Sequence, residues 1–423
     1  MLTQLAVLLA VALLLGLLAR RLGLPAMVGE LLAGVVLGPS ILGWVFPGLH
    51  HRLFGAGGPN EMVNSIAQLG ILLLVGLAAA ELDARVLRRR ARVIASVSVW
   101  SFAIPLAFGI GVGLLVPERF HGDGSTCAEF VILLGTAMSV SAIPVIAKIL
   151  TDLDLLRKDF GQVILASCTV IDIGAWILLA VVSAMATVGL RGWQLPLTLV
   201  SLALVVLVTF VLRPTVGRAM DRLEASAVPG AVTAPTVLLI IGCGALTSAL
   251  HLEAALGAFL AGVLIGKRTP ESLAPLQIVT SAVFAPVFLA TAGLHLDLTQ
   301  LAHLDTALVA LAVLAVAVVG KLAGTYAGAR LAGIGHWESL ALGSGLNARG
   351  LVEIILATIG LQLGVFTPTV YMIIVLVALV TSIMAPPCLG FALRRSGMDR
   401  GGARNGLIDD LDRAESSPTQ TLG

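Results

Sequence analysis

The stretch "GTAMSVSAIPVIAKIL", Gly135–Leu150, is apolar enough to lie in a membrane yet carries a proline preceded by two serines and a threonine. Pro144 brings no backbone N–H to a helix and its ring collides with the preceding turn, so a helix cannot run through it undisturbed. Thr136, Ser139 and Ser141 can bond the carbonyls so released or face a small polar ligand. A lone proline kink is common in membrane helices, so the reading turns on a second interruption. "GSGLNARGLVE", Gly343–Glu353, supplies one, with Gly343, Gly345, Asn347 and Gly350 crowded around Arg349. Two interrupted helices at corresponding places in two halves of a chain predict a site at mid-membrane. There, exposed carbonyls and half-helix ends can replace the water of a cation.

The rest of the chain fits that setting. Its 423 residues are 58% hydrophobic and 12% charged, with a mean hydropathy of +1.03, outside the range of soluble domains. Cutting at polar, Gly and Pro punctuation leaves thirteen segments near 2–19, 26–46, 62–80, 93–116, 128–149, 160–187, 195–212, 229–249, 253–266, 278–296, 306–332, 337–361 and 367–393. The first has no basic residues before it and no small-residue cleavage site, so it reads as a membrane helix and not as a removable signal. With thirteen spans, 21 Lys and Arg fall on one side and only Arg52, Arg119 and Arg191 on the other. That asymmetry predicts an external N-terminus and a cytoplasmic C-terminus. The expected organisation is a membrane domain over 1–393 and a short, mostly disordered cytoplasmic tail over 394–423, in an all-α polytopic membrane protein.

Weak internal symmetry points to two diverged halves. "LLAGVVLGPSILG" from Leu31 is echoed by "FLAGVLIGK" from Phe259, and "GLAAAELD" ending at Asp83 by "FLATAGLHLD" ending at Asp297. If segments one and eight begin corresponding units, the seven helices between them invert one unit relative to the other, a transporter signature.

Several function classes drop out. A net charge of +2 gives no footprint for nucleic acid. Cys127, Cys168, Cys243 and Cys388 are scattered, Cys127 reading as an isolated loop thiol and the others as small apolar membrane residues. No phosphate loop, hydrolase triad or zinc cluster is present, which argues against an ATP-driven pump or a membrane enzyme. No resident cofactor is expected.

Accounting for charges by loop isolates the chemistry. Of 26 Lys and Arg, 24 are used by loops and termini, leaving Lys321 and Arg349 inside the membrane; among the acids Glu30, Asp172 and Glu353 remain. Each costs roughly 3 kcal/mol or more there unless paired or wet, so all five are functional candidates. Asp172, in "SCTVIDIGAW" (Ser167–Trp176), is the natural centre of the site, because a carboxylate out of water can hold either a proton or a cation. Lys321 could pair with Asp172, compensate the negative end of a broken helix, or snorkel to the surface. Arg349 and Glu353 are four apart and expected to pair on one helical face. Glu30 stands near a helix start, where the dipole favours a carboxylate. His251 and His295, near external helix ends, read as polar belt residues.

These residues resemble the second monovalent cation/proton antiporter family, the Kef-type and NapA-like exchangers. The matching stretches are "GELLAGVVLGPSILG", "GTAMSVSAIPVIAKIL", "TVIDIGAW", "GAFLAGVLIG", "GLHLDL", "GKLAGTYAGARLAG" and "NARGLVEIILATIGLQLGVFTPTVYMIIVLVALVTSIMAPP", spanning about residues 25 to 390. The resemblance implies an inverted-repeat fold with two broken helices crossing in a six-helix core, which moves past a dimerisation scaffold in a homodimer. It implies that Asp172 is the ion- and proton-binding aspartate, Lys321 the membrane lysine and Arg349 the arginine of the last crossing-helix motif. "TAMSVSAIP" matches the unwound stretch beside the aspartate, so Thr136, Ser139 and Ser141 join Asp172 as candidate cation ligands.

One position departs: the family commonly has a polar residue before the aspartate, where this chain has Ile171. A single carboxylate favours one-for-one, electroneutral exchange, and leaves Asp172 as the closest candidate partner for Lys321. The expected function is exchange of Na⁺ or K⁺ for H⁺ across a plasma membrane. A gated potassium pathway controlled by a regulatory subunit, and a proton-coupled carrier or sensor of another solute, stay open.

Overall fold

A computed structural model describes residues 2–54, 61–80, 90–153, 155, 158–188, 194–226, 230–250 and 252–396. Each of the thirteen segments is met by a helix or by two half-helices end to end. The first half comprises α1 (Leu2–Arg21), α2 (Ala26–Leu37), the short α3 (Leu42–Val45) and α4 (Pro47–Phe54), α5 (Glu61–Ala80), α6 (Ala91–Leu115), α7 (Cys127–Ser139), α8 (Ile143–Asp152) and α9 (Asp159–Val188). A long helix, α10 (Gln194–Ala225), leads to α11 (Thr233–Ala249), α12 (Ala254–Ile265), α13 (Pro270–Val279) and α14 (Ala285–Leu294). The chain continues through α15 (Leu304–Leu331), α16 (His336–Leu346), α17 (Leu351–Gln362) and α18 (Pro368–Ser396). Among the described residues nine helices are long and apolar enough to cross a membrane, or ten if α16 and α17, bent by 47° at their break, count as one span. The shorter α7, α11 and α12 account for the other three of the thirteen segments.

Local chemistry explains the boundaries. Thr126 and Glu129 form a reciprocal capping box that starts α7. Cys127 is consequently the first helical residue and exposed, not a loop thiol. The helix stops at Ser139, Val140 is extended, and Pro144 falls in the first turn of α8, where its missing N–H is no loss. Segment ten starts eight residues earlier than expected. Thr269 is an N-cap and Pro270 an N1 residue, so the polar turn containing Glu271 and Ser272 is helical before the π turn at Thr280–Phe284. The tail beyond Ser396, expected to be disordered, lies outside the described residues, as does His251.

The two halves repeat each other in their packing. A Cβ on Gly34 of α2 would stand 2.0 Å from Ala290 O, beside Gly293 of α14; one on Gly262 of α12 would stand 2.2 Å from Gly76 O, beside Ala79 of α5. Gly34 and Gly262 are equivalent in the sequence repeat, as are Ala290 and Gly76, and Gly293 and Ala79. The same exchange relates Gly29 against Leu15 O to Gly257 against Cys243 O, at 2.0 and 2.2 Å. Each LAG helix thus packs backbone to backbone on the partner repeat's helix, which small residues alone permit.

These contacts gather α1, α2, α5, α10, α11, α12 and α14 into one group and α6, α7, α9, α15, α16, α17 and α18 into another. In the second group α15 lays Gly320, Gly324 and Gly328, spaced by four, against Pro105, Trp100 and Ser96 of α6. Contacts between the groups are sparse. A pocket lies in the seam, with Leu74, Val75 and Phe259 on the first group's wall and Asp172, Trp176, Leu351 and Val352 on the second's.

Gly34→Ala and Gly262→Ala should each cost about 1–3 kcal/mol by overpacking against backbone that cannot retreat. Gly242→Ala, where an added Cβ meets nothing within 4 Å, should be neutral or stabilising. Thermal unfolding of the purified protein in one detergent compares the three.

Candidate functional site

The two breaks meet. Ala142 N–H donates to Ala348 O at 2.8 Å, and Ser141 Oγ donates to Leu346 O at 2.6 Å. Ser382 of α18 donates its hydroxyl to Arg349 O, closing the second break from the other side. The irregular backbone is therefore satisfied by protein, as non-helical chain at membrane depth must be.

The end of α7 is the most polar place in this core. A helix leaves its last four carbonyls without intrahelical partners, and they carry the negative end of the dipole. Arg349 answers two of them: Nη1 donates to Ala137 O at 2.8 Å and Nη2 to Met138 O, and Nη2 also reaches Ala317 O of α15 at 3.1 Å. Lys321 Nζ donates to Ser139 O, and to Ser101 O of α6 at 3.3 Å. Glu353, in the first turn of α17, balances Arg349 at 3.2 Å. All three side chains are 0% exposed. The expected Arg349–Glu353 pair is present, but Arg349 belongs to the break between α16 and α17, so the two do not share a helical face.

Lys321 and Asp172 form no ion pair; the ammonium donates to Ser139 O and Ser101 O instead. Of the alternatives open for Lys321, the structure takes the helix-end role. The reason is geometric: two main-chain oxygens lie within reach of the ammonium, and they are permanent.

Asp172 is 7% exposed and lines the seam pocket with Thr169, three residues earlier on α9. Its Oδ1 is buried without a hydrogen-bond partner. Ile171, 1% exposed, turns the other way into an apolar cluster with Ala142, Ile146, Cys168 and Leu346. The missing polar neighbour is thereby replaced by core packing.

Thr136, Ser139 and Ser141 are buried, and each donates its hydroxyl to backbone: Thr136 to Ile132 O at 2.7 Å, Ser139 to Gly135 O at 2.8 Å and Phe102 O at 3.1 Å, Ser141 to Leu346 O. Their lone pairs stay available as acceptors. Asn347 Oδ1, Glu353 Oε2 and Arg349 Nε, at the second break, are also buried and unpartnered.

Glu30 is buried, but the helix starts at Ala26 after Pro25, which puts it beyond the first turn and against Gly16 of α1. The dipole benefit expected for it is correspondingly weak. His295 bonds Thr291 O at 2.9 Å and stands edge-on to Tyr371, as a polar belt residue does. Among the described residues loop accounting missed one buried acid, Glu129 of the capping box; the T-x-x-E spacing from Thr126 was the signal that could have found it.

Arg349→Ala should cost about 3–5 kcal/mol, because Glu353 is left buried and unpaired. Adding Glu353→Gln should recover part of that loss, and paired thermal unfolding curves read the difference.

Residues 8–395 match the family model described as "Sodium/hydrogen exchanger, transmembrane". The Na(+)/H(+) antiporter NhaS4 of Synechocystis is 30% identical over 396 residues, 91% of this chain and 95% of that protein. Cation/H(+) antiporter 17 of Arabidopsis thaliana is 28% identical over 97% of this chain, which spans only about half of that longer protein, 50%. The solved structure of the sodium proton antiporter MjNhaP1 from Methanocaldococcus jannaschii superimposes with a TM-score of 0.64 at 15% identity, covering 93% of this chain and 98% of that one. That likeness is one of fold.

Proposed function

The chain belongs to the transmembrane sodium/hydrogen exchanger family, and from that premise we propose that it is a secondary antiporter exchanging Na⁺ or K⁺ for H⁺, with Asp172 holding the two in turn. The observation that carries this reading is the unpartnered, buried Oδ1 of Asp172 at the seam between the two helix groups. An ionised carboxylate out of water needs a counter-charge or a proton. The two nearby cations are engaged with the end of α7, so neither closes on it as an ion pair. A cation and a proton are then alternatives for one site, and alternatives for one site exchange.

Thr169, which lines the seam pocket with Asp172, supplies the hydroxyl to the cation in this reading; Thr136, Ser139 and Ser141, expected as cation ligands, do not line that pocket and bond backbone instead, while Lys321, Arg349 and Glu353 hold the break in shape. The transported ions are cargo, and the protein makes and breaks no covalent bond. With Ile171 in the core, Asp172 is the single carboxylate of the exchange, and one proton moves per cation.

Access alternates as the group of α6, α7, α9 and α15 to α18 shifts along the other group, the scaffold, across their apolar seam. The reading places the protein in a plasma membrane as a homodimer, its C-terminus in the cytoplasm, with protons entering as cations leave.

Proteoliposomes loaded with a pH dye test it. Addition of Na⁺ or K⁺, but not choline, should discharge an imposed pH gradient, and Asp172→Asn should reduce that response at least 100-fold while the variant still folds. Near-normal exchange by Asp172→Asn would sink the assignment of the site. Equal responses to choline would sink the antiport itself.

A further inference from the structure

Lys321 rests on two carbonyls that an uninterrupted helix would not offer. Ser139 O is free because α7 ends there. Ser101 O lies in the interior of α6, where a carbonyl normally accepts the N–H four residues ahead. Four residues ahead is Pro105, which has none. The carbonyl it leaves unclaimed is the one that Lys321 Nζ takes at 3.3 Å.

The surroundings hold that alignment. Gly320, next to Lys321 in sequence, brings α15 so close that an added Cβ would lie 3.2 Å from Pro105 Cα. Thr325 Oγ1, one turn on from Lys321, donates to Ser101 Oγ at 2.8 Å, which fixes the register of α15 on α6. Ser139 Oγ reaches Phe102 O at 3.1 Å, tying the end of α7 to the same stretch. Ser101, Ser139, Lys321 and Thr325 are all fully buried, so water does not substitute for a lost acceptor.

We propose that Pro105 is a positioning residue for antiport: by withholding a backbone N–H from Ser101, it makes that carbonyl half of the seat in which the Lys321 ammonium is held beside the aspartate site. The inference rests on the antiport reading. The ionisable groups facing Lys321 are Asp172 and Cys168 from α9, Arg349 from the second break and Glu353 from α17. On α6 the basic residue of the helix, Arg92, stands in its first turn, nine residues before Ser101. Restoring an N–H at position 105 would draw Ser101 O back into its own helix and leave the ammonium with Ser139 O.

The test is the pH at which cation-driven proton flux is half-maximal in proteoliposomes, for Pro105→Ala, Pro105→Gly, Lys321→Ala and each double variant, with thermal stability in detergent alongside. Both position-105 variants restore the N–H; alanine straightens the helix and glycine leaves it easy to bend. The expected result is a shift of the half-maximal pH by about one unit towards acid in both, equivalent to about 1.4 kcal/mol, and no further shift when either is added to Lys321→Ala. A profile unmoved in a folded variant overturns the proposal. So does a shift of equal size with and without Lys321, or one seen for alanine alone, which would mean helix shape. Failure of both variants to fold would give Pro105 a structural role and overturn it as well. Absence of exchange in the unmodified protein would instead be a failure of the antiport reading.

Discussion

Three consecutive carbonyls, those of Ala137, Met138 and Ser139, end a helix in the middle of the protein, and two buried cations meet them. Neither side of this contact is affordable alone. Buried carbonyls without donors cost about 1–3 kcal/mol each, and an unpaired buried ammonium or guanidinium costs several. Together each solves the other's problem, with Glu353 balancing part of the charge. Because Arg349 stands in one break and caps the other, the same contact also fixes where the two broken helices touch.

This constraint determines what is left over. Lys321 and Arg349 are committed to main-chain oxygens, and Ile171 is committed to the core. Asp172 alone among the central groups faces the seam with an unmet oxygen. The seam pocket around it is largely aliphatic and aromatic. Polar contacts that cross it lie away from the pocket, such as Gln362 to Gln68 at 3.2 Å and Tyr371 Oη to Ala292 O at 2.8 Å. Inside the scaffold group, by contrast, glycines lock backbone to backbone in both repeats. A rigid group with few directional bonds across its seam is free to slide by small amounts, as the proposed alternation of access requires.

Much of this was legible in the sequence because it depends on counting. Apolar run lengths gave thirteen segments, the loop charges isolated Lys321 and Arg349, and the proline and glycine clusters marked both breaks. The repeat was visible at Leu31 and Phe259, whereas its reciprocal packing through small residues at equivalent places emerged in the structure. What was not legible involves three bodies at once. The seat of Lys321 needs an ammonium at 321, a carbonyl at 101 and a missing N–H at 105, and no local pattern joins them. The direction of Ile171 was hidden likewise, since adjacent helical positions point about 100° apart and only the neighbouring helices decide which one meets the pocket. The early start of α13 escaped because its polar first turn is held by a distant residue: Thr269 and Ser272 both donate to Glu224 of α10.

The central claim is that one carboxylate carries the exchange, so that one proton answers one monovalent cation. Charge movement tests this most directly, recorded on proteoliposomes adsorbed to a solid-supported membrane during a cation concentration jump, alongside dye-detected proton flux. The account predicts proton flux without a sustained transport current and a rate indifferent to clamped voltage. A current that scales with the flux and reverses at the potential for two protons per cation would contradict it.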